Sequence, residues 1–212
     1  MINKDTKIYC SFSQHAGNKG CKLFNTAFQY YGLNSIYKSF SVNDIEEAVK
    51  ATKCLNFAGF AVSMPFKREV INFVDEVSKE TRQISAANTI VNRDGKLSAF
   101  NTDYLAAMHL LKEKGKNKVI ILGNGGYAMS VRYAASILDM EHETITREGW
   151  NKVHSLKDKL IFNCTPVEDL VLDKTNDYID CIVDTATGKR LGIIQAAHQF
   201  KLYTGLEFPF KY

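Results

Sequence analysis

"KVIILGNGGYA", residues 118–128, is the stretch on which the fold turns. Val119–Leu122 is a short unbroken apolar run, followed at once by a glycine-rich turn and by helical spacing that reaches Leu138. A strand of a parallel sheet reads as a continuous apolar run because helices cover both of its faces. The turn matches G-x-G-x-x-A through Gly123, Gly125 and Ala128, with Asn124, Gly126 and Tyr127 between them. Gly123 permits the tight turn, Gly125 lets backbone approach a pyrophosphate, and Ala128 lets helix and strand pack closely. The helix start then offers N–H groups and a positive dipole end to phosphates. Dinucleotide binding and a merely tight turn are the two readings of the pattern.

Downstream, "ETIT", "LIFNC" and "CIVD" supply second, third and fourth strands, beginning at residues 143, 160 and 181. Strands alternating with helices imply a parallel sheet. The second strand ends in "ITREG", where an NAD site would carry an acidic residue for the ribose. Arg147 is placed to meet a 2′-phosphate, which favours NADP, although Glu148 beside it and an ordinary surface role keep the alternative open.

Upstream, "KEKGKNK", residues 112–118, is polar and closes an earlier unit. In that unit Ile8–Ser13, Ile36–Phe40 and Phe57–Ser63 read as strands, and Cys21–Tyr31 as a helix stopped by Gly32. Asn43 with Glu46 forms a capping-box pattern ahead of a face of Ile45, Ala48 and Val49. Pro65 suits the first turn of another helix, with Val70, Ile71, Val74 and Val77 inward. In "SAANTIVNRDGKLSAFNTDY", residues 85–104, Asp-Gly lies between two strand-like runs, a strong hairpin signal. Thr89–Asn92 should pair with Lys96–Phe100, bringing Asn88 and Asp103 to one end just before a helix carrying Leu105, Met108, Leu110 and Leu111.

The 212 residues suffice for one large domain or two small ones, and 45% hydrophobic with 24% charged residues is ordinary for a soluble globular chain. A net charge of +4 without a Lys/Arg block argues against nucleic-acid binding. No apolar run approaches a membrane span, and "MINKDTKIYC" is too polar for a signal peptide. Cysteines at 10, 21, 54, 164 and 181, odd in number and without C-x-x-C, read as a reduced cytoplasmic protein lacking a disulfide framework or zinc site. The five histidines do not cluster, and His109 falls in an apolar helix pattern as a structural residue, so no metal site is expected.

"GFAVSMPFKREV" puts Lys67 just beyond a strand, in the first turn of the expected helix. A cation there opposes the helix dipole and gives up its proton more readily, whereas a carboxylate at a helix start, such as Asp103, keeps its charge. The two form a suitable pair for proton transfer to and from an alcohol. A surface lysine and a capping aspartate are the competing reading.

"AVSMPFK", "SAANTIV…AFNTD", "ILGNGGYA", "IFNCTPV" and "GIIQAAHQFKLYTG" together, in this order, resemble the shikimate dehydrogenase family. The likeness covers nearly the whole chain and is greatest for the shikimate dehydrogenase-like branch. It implies an α/β fold of two lobes. Residues 1–103 with 190–212 form a substrate and catalytic lobe, and residues 104–189 a shortened Rossmann-like NADP-binding lobe. It implies an NADP-dependent oxidoreductase interconverting shikimate, or a related cyclic hydroxy acid, and 3-dehydroshikimate. Lys67 becomes the general acid/base and Asp103 its partner, while Asn18, Ser63, Asn88 and Gln195 bind substrate. Gly123, Asn124, Gly125, Gly126, Tyr127, Ala128, Thr146, Arg147 and Gly188 bind the cofactor. The resemblance implies a small-molecule partner only and a monomer or homodimer.

The departures concern the same positions. The two serines with which the family holds the substrate carboxylate become Asn18 and Gly20, its neighbouring proline becomes Cys21, and the Asn of its N-V-T becomes Ala61. Losing one or two charge-assisted hydrogen bonds costs roughly ten- to ten-thousand-fold in transition-state binding, which implies weak activity on shikimate itself. A substrate-facing tyrosine becomes Thr187, and the chain stops at Tyr212 without the family's closing helix. These changes motivate an alternative, a non-catalytic sensor of NADP(H) or a shikimate-like ligand.

Overall fold

A computed structural model describes residues 2–211. The chain divides into two compact units, one containing residues up to Thr102 together with Ala196 onward, the other Asp103–Gln195.

The first unit is built on a six-stranded sheet in the order β2-β1-β3-β5-β6-β4. Its strands are β1 (Lys7–Ser13), β2 (Ser35–Ser41), β3 (Gly59–Val62), β4 (Glu76–Val77), β5 (Thr89–Arg93) and β6 (Lys96–Phe100). Helices α1 (Lys19–Tyr30), α2 (Ile45–Cys54) and α3 (Lys79–Ile84) connect them. β2, β1 and β3 run parallel, and β5 returns antiparallel to β3. Alternation along β1 splits the core in two. Cys10 and Phe12 join Ile45, Val49, Phe60 and Val62 on the α2 face. Tyr9 joins Phe24, Phe28 and Tyr37 on the α1 face. The hairpin forms as its Asp-Gly requires: Arg93 pairs with Lys96, and Asp94 and Gly95 both take positive φ, 54° and 85°, the combination of a type I′ turn.

The second unit holds a four-stranded parallel sheet in the order β10-β9-β7-β8. Its strands are β7 (Lys118–Leu122), β8 (Glu141–Ile145), β9 (Leu160–Asn163) and β10 (Asp177–Asp180), with α4 (Asp103–Lys114) and α5 (Gly126–Ile137). α6 (Ala186–Thr204) contributes its first half to this unit and its second half to the other. β7 is buried on both faces. Val119 and Ile121 meet α4 and α5, while Ile120 and Leu122 meet Ile145, Val153 and Ile161.

Four local expectations change. The helix expected from Pro65 is instead a turn followed by a 3-10 helix, Glu69–Phe73, after which Val74 is extended. Asp75 and Leu97 exchange two hydrogen bonds, N–H to carbonyl at 3.0 Å and N–H to carboxylate at 2.7 Å, and these draw the chain into β4 beside β6. The pairing outweighs the helical spacing of the valines. The cap of α2 is Asp44, whose carboxylate accepts the Glu47 N–H at 3.0 Å, one residue beyond the expected Asn43. "CIVD" follows a strand instead of forming one, because the Asp180 carboxylate accepts the Ile182 N–H at 2.8 Å and turns the chain. His109 is exposed and sits 3.2 Å from Glu113 one helical turn on, outside the core.

Candidate active site

In the first unit the parallel strands β2, β1 and β3 end at one edge of the sheet, the edge at which ligands of open α/β sheets bind. Ser13 lies opposite Ser41, and the Ser63 N–H donates to the Phe12 carbonyl at 2.9 Å. β5 starts at this edge because it runs the other way, and Asn88 immediately precedes it. The Val62 N–H bonds the Asn88 carbonyl at 2.9 Å, so Ser63 and Asn88 each follow or make that link.

Lys67 is fixed through its neighbours. The Phe66 N–H closes a turn onto the Ser63 carbonyl at 3.0 Å, and the Phe66 ring is buried among Phe12, Phe60 and Val70. The Lys67 carbonyl accepts the Ala87 N–H at 2.7 Å. Two backbone hydrogen bonds, Val62 N–H to the Asn88 carbonyl and Ala87 N–H to the Lys67 carbonyl, thus tie the Ser63–Lys67 segment to Asn88. Lys67 is half-buried and Ser63 is exposed. No α-helix starts at Lys67, so the dipole argument made for it from the sequence does not apply.

Asn88 is 2% exposed and is held by threonines. Its Oδ1 accepts the Thr102 N–H and the Thr89 hydroxyl, both at 2.8 Å, and its Nδ2 donates to the Thr102 hydroxyl at 2.9 Å. The Gln199 amide donates to the Asn88 carbonyl at 3.1 Å. Thr89, Thr102 and Gln199 are positioning residues that sequence reasoning missed; Gln199 was detectable only as the residue one helical turn beyond Gln195. Asn18 is exposed at the start of α1 and makes no side-chain cap, so it stands apart from this hydrogen-bonded group. A Cβ on Gly20 would lie 3.2 Å from the Tyr37 ring, so only a small residue fits where the family has a serine.

The second unit builds its edge from backbone. Gly123 has φ +100°, and a Cβ there would come within 2.8 Å of the Thr165 methyl. Its N–H donates to the Ile145 carbonyl at 2.9 Å, which sets Thr146 and Arg147 next to the turn. Gly125 is the N-cap of α5 with open space where a side chain would project, and Ala128 is fully buried. The Asn124 side-chain Oδ1 accepts from the Arg132 guanidinium at 2.9 Å. Arg147 is exposed. The tight first glycine, the open second glycine and the helix start fit a pyrophosphate.

Tyr127 is half-buried with its hydroxyl enclosed, and that hydroxyl is pushed well above the ordinary tyrosine range by burial and then by the nearby Asp103. Asp103, the first residue of α4, is 3% exposed. Gln195 donates to the Gly192 carbonyl at 3.1 Å. Gly188 has a packing role: a Cβ would lie 1.8 Å from the Ile182 carbonyl oxygen. Asn163 was also missed. Fully buried, it accepts the Thr165 N–H and hydroxyl at 3.0 and 2.7 Å and donates to Asp180 at 3.3 Å, fixing the wall against which Gly123 packs. Among the described residues no cluster of three or more His, Cys, Asp or Glu side chains could hold a metal, and no helix is long and apolar enough to cross a membrane.

A parallel sheet with a glycine-rich strand-to-helix turn defines a Rossmann-like α/β unit, joined in one chain to a mixed-sheet unit whose edge carries an anchored lysine and amide. A family model for the shikimate dehydrogenase substrate binding domain matches residues 18–90. The shikimate dehydrogenase-like protein of Haemophilus influenzae is 44% identical over 134 residues, 62% of this chain and 49% of that one. The NADP(+) shikimate dehydrogenase of Alkaliphilus oremlandii is 36% identical over 181 residues, 78% of this chain and 63% of that one. A solved shikimate 5-dehydrogenase-like protein superposes with a TM-score of 0.83 and 31% identity, over 98% of this chain and 94% of that one. A shikimate dehydrogenase solved in complex with NADP+ does so with a TM-score of 0.77 and 25% identity, over 98% and 93%. The chain belongs to the shikimate dehydrogenase family. It spans about half to two thirds of the length of the curated relatives it matches.

Proposed function

We propose that this protein is an NADP-dependent oxidoreductase of the shikimate dehydrogenase type, interconverting shikimate, or a related cyclic hydroxy acid, and 3-dehydroshikimate. The observation that carries the reading is the anchoring of Lys67 beside Asn88 through the Lys67 carbonyl and the Ala87 N–H, 2.7 Å apart, at the ligand-binding edge of the first sheet.

Lys67 takes the proton from the substrate hydroxyl in one direction and returns it in the other, with Asp103 as the carboxylate of the family's pair. Ser63, Asn88, Asn18 and Gln195 orient the substrate hydroxyls and carboxylate by hydrogen bonds. The Gly123–Ala128 backbone holds the pyrophosphate, and Thr146 with Arg147 holds the 2′-phosphate. When bound, the nicotinamide supplies the hydride acceptor or donor. Gly20, which replaces a carboxylate-binding serine, lowers affinity for shikimate and favours a relative with a different anionic arm. A cytoplasmic location and a monomeric or homodimeric state belong to the same reading.

The test is steady-state reduction of NADP with shikimate and a panel of cyclic hydroxy acids, followed by NADPH absorbance, with NAD in parallel. Turnover with NADP on at least one acid is expected. Tight ligand binding without turnover on any of them replaces the enzyme by the sensor, the reading that the altered carboxylate site motivates.

A further inference from the structure

In the parallel pair β9 and β10, Asp180 lies opposite Asn163. The Cys181 N–H donates to the Asn163 carbonyl at 3.1 Å, which carries the ladder one bond beyond the strands. The next residue along β9 is Cys164, and along β10 it is Cys181. Side chains alternate, so both thiols share the face of Phe162 and Ile179. All four pack on the same cluster under α4 and α5, and Tyr127 feels both cysteines. Neighbouring strands lie about 4.8 Å apart, inside the roughly 4.4–6.8 Å between Cα atoms that a disulfide accepts. Both cysteines sit just past the regular strands and are half-buried. Cys10 and Cys54 belong to the other unit; Cys10 is buried and Cys54 exposed.

We propose that Cys164 and Cys181 are a vicinal dithiol that exchanges with small-molecule disulfides to form an internal bridge. One thiolate attacks a sulfur of the small disulfide, forming a mixed disulfide and releasing one small thiol. The second thiolate attacks the protein sulfur of that mixed disulfide and releases the other small thiol. Two protein S–H bonds and one reagent S–S bond become one protein S–S bond and two small thiols, with two electrons passing to the reagent. The bridge lies beside the nucleotide turn: the Cys164 N–H donates to the Leu122 carbonyl at 2.9 Å, one residue before Gly123. Closing it shifts the wall on which Gly123 packs and weakens NADP binding, a consequence that rests on the proposed function.

The experiment incubates the full chain with oxidised glutathione, quenches in acid and maps disulfides by mass spectrometry after non-reducing digestion. The expected product is a chain lighter by two hydrogen atoms, with one linked peptide joining Cys164 to Cys181 that dithiothreitol reverses. Cys181→Ser should instead accumulate glutathione on Cys164, because nothing resolves the mixed disulfide. Glutathione on both cysteines of the unaltered chain, a link from either to Cys54, or no reaction at either overturns the proposal. NADP-induced thermal shift should shrink in the bridged chain and stay unchanged in glutathione-treated Cys164→Ser/Cys181→Ser. Absence of any NADP shift in the reduced chain counts against the nucleotide reading and leaves the linked peptide to decide the dithiol.

Discussion

At the edge of the six-stranded sheet the chemistry-bearing groups are side chains, Lys67, Ser63 and Asn88, each fixed by hydrogen bonds between segments far apart in sequence. At the edge of the four-stranded sheet they are mostly backbone atoms, shaped by the lack of a side chain at Gly123 and Gly125. A site made of side chains tolerates loss of a single partner in its frame but fails when the reacting group is removed. A site made of backbone fails when a Cβ is added where the chain already turns against a neighbour, as at Gly123. Under the proposed function the difference would also separate the two units' tasks: directional groups suit a hydroxylated ring, and open backbone suits close approach to an anion.

The largest expected effect is at Lys67. Lys67→Ala should lower turnover ~100- to 10,000-fold while NADP affinity, read by calorimetry, stays near that of the parent. Unchanged turnover would remove the lysine from the reaction and with it the idea that the first unit works through side chains. Next, Gly123→Ala meets the Thr165 methyl at 2.8 Å with φ at +100°. Strain of this kind costs about 1–3 kcal/mol, so the variant should melt lower and lose its NADP thermal shift; retention of that shift would break the backbone half of the comparison.

Asn88→Ala leaves the Thr102 N–H and the Thr89 hydroxyl without their buried acceptor. Such losses cost about 1–3 kcal/mol, visible as a lower urea midpoint, with Asn88→Asp recovering the acceptor function. Equal midpoints would mean that the amide is not the buckle of this edge. The smallest effect is electrostatic. The Leu97 N–H and then Lys53 hold the Asp75 carboxyl below its usual range. A depressed carboxylate contributes stability that is present above its unfolded value of about 3.9 and is lost as pH falls through the folded value. Wild type should therefore melt slightly higher than Asp75→Asn at neutral pH, and the two curves should converge in acid.

The second unit was the more legible from sequence. Its signals are local: an apolar run, glycines at fixed spacing and a helix directly after them, and the structure keeps that order at residues 118–137. The hairpin was legible for the same reason, since Asp94-Gly95 dictates its own turn. Lys67 was visible as a residue but not in its setting, because the 3-10 segment after it is decided by pairing with β6, a contact that helical periodicity does not encode. The partners of Asn88 were hidden for a similar reason: Thr102 and Gln199 reach it only once the sheet and α6 have assembled. The two cysteines after β9 and β10 lie 17 positions apart, and only strand register makes them neighbours.

The bond from Gln199 to the Asn88 carbonyl spans 111 positions. During synthesis, the whole of Asp103–Gln195 leaves the ribosome before Phe200 and Gln199 are available to the first unit's core. The second unit therefore has every residue of its own in hand while the first still waits for its final piece. Coming first in the chain therefore does not make the first unit self-sufficient, because its core takes Ala196 and Phe200 from the far end of the sequence.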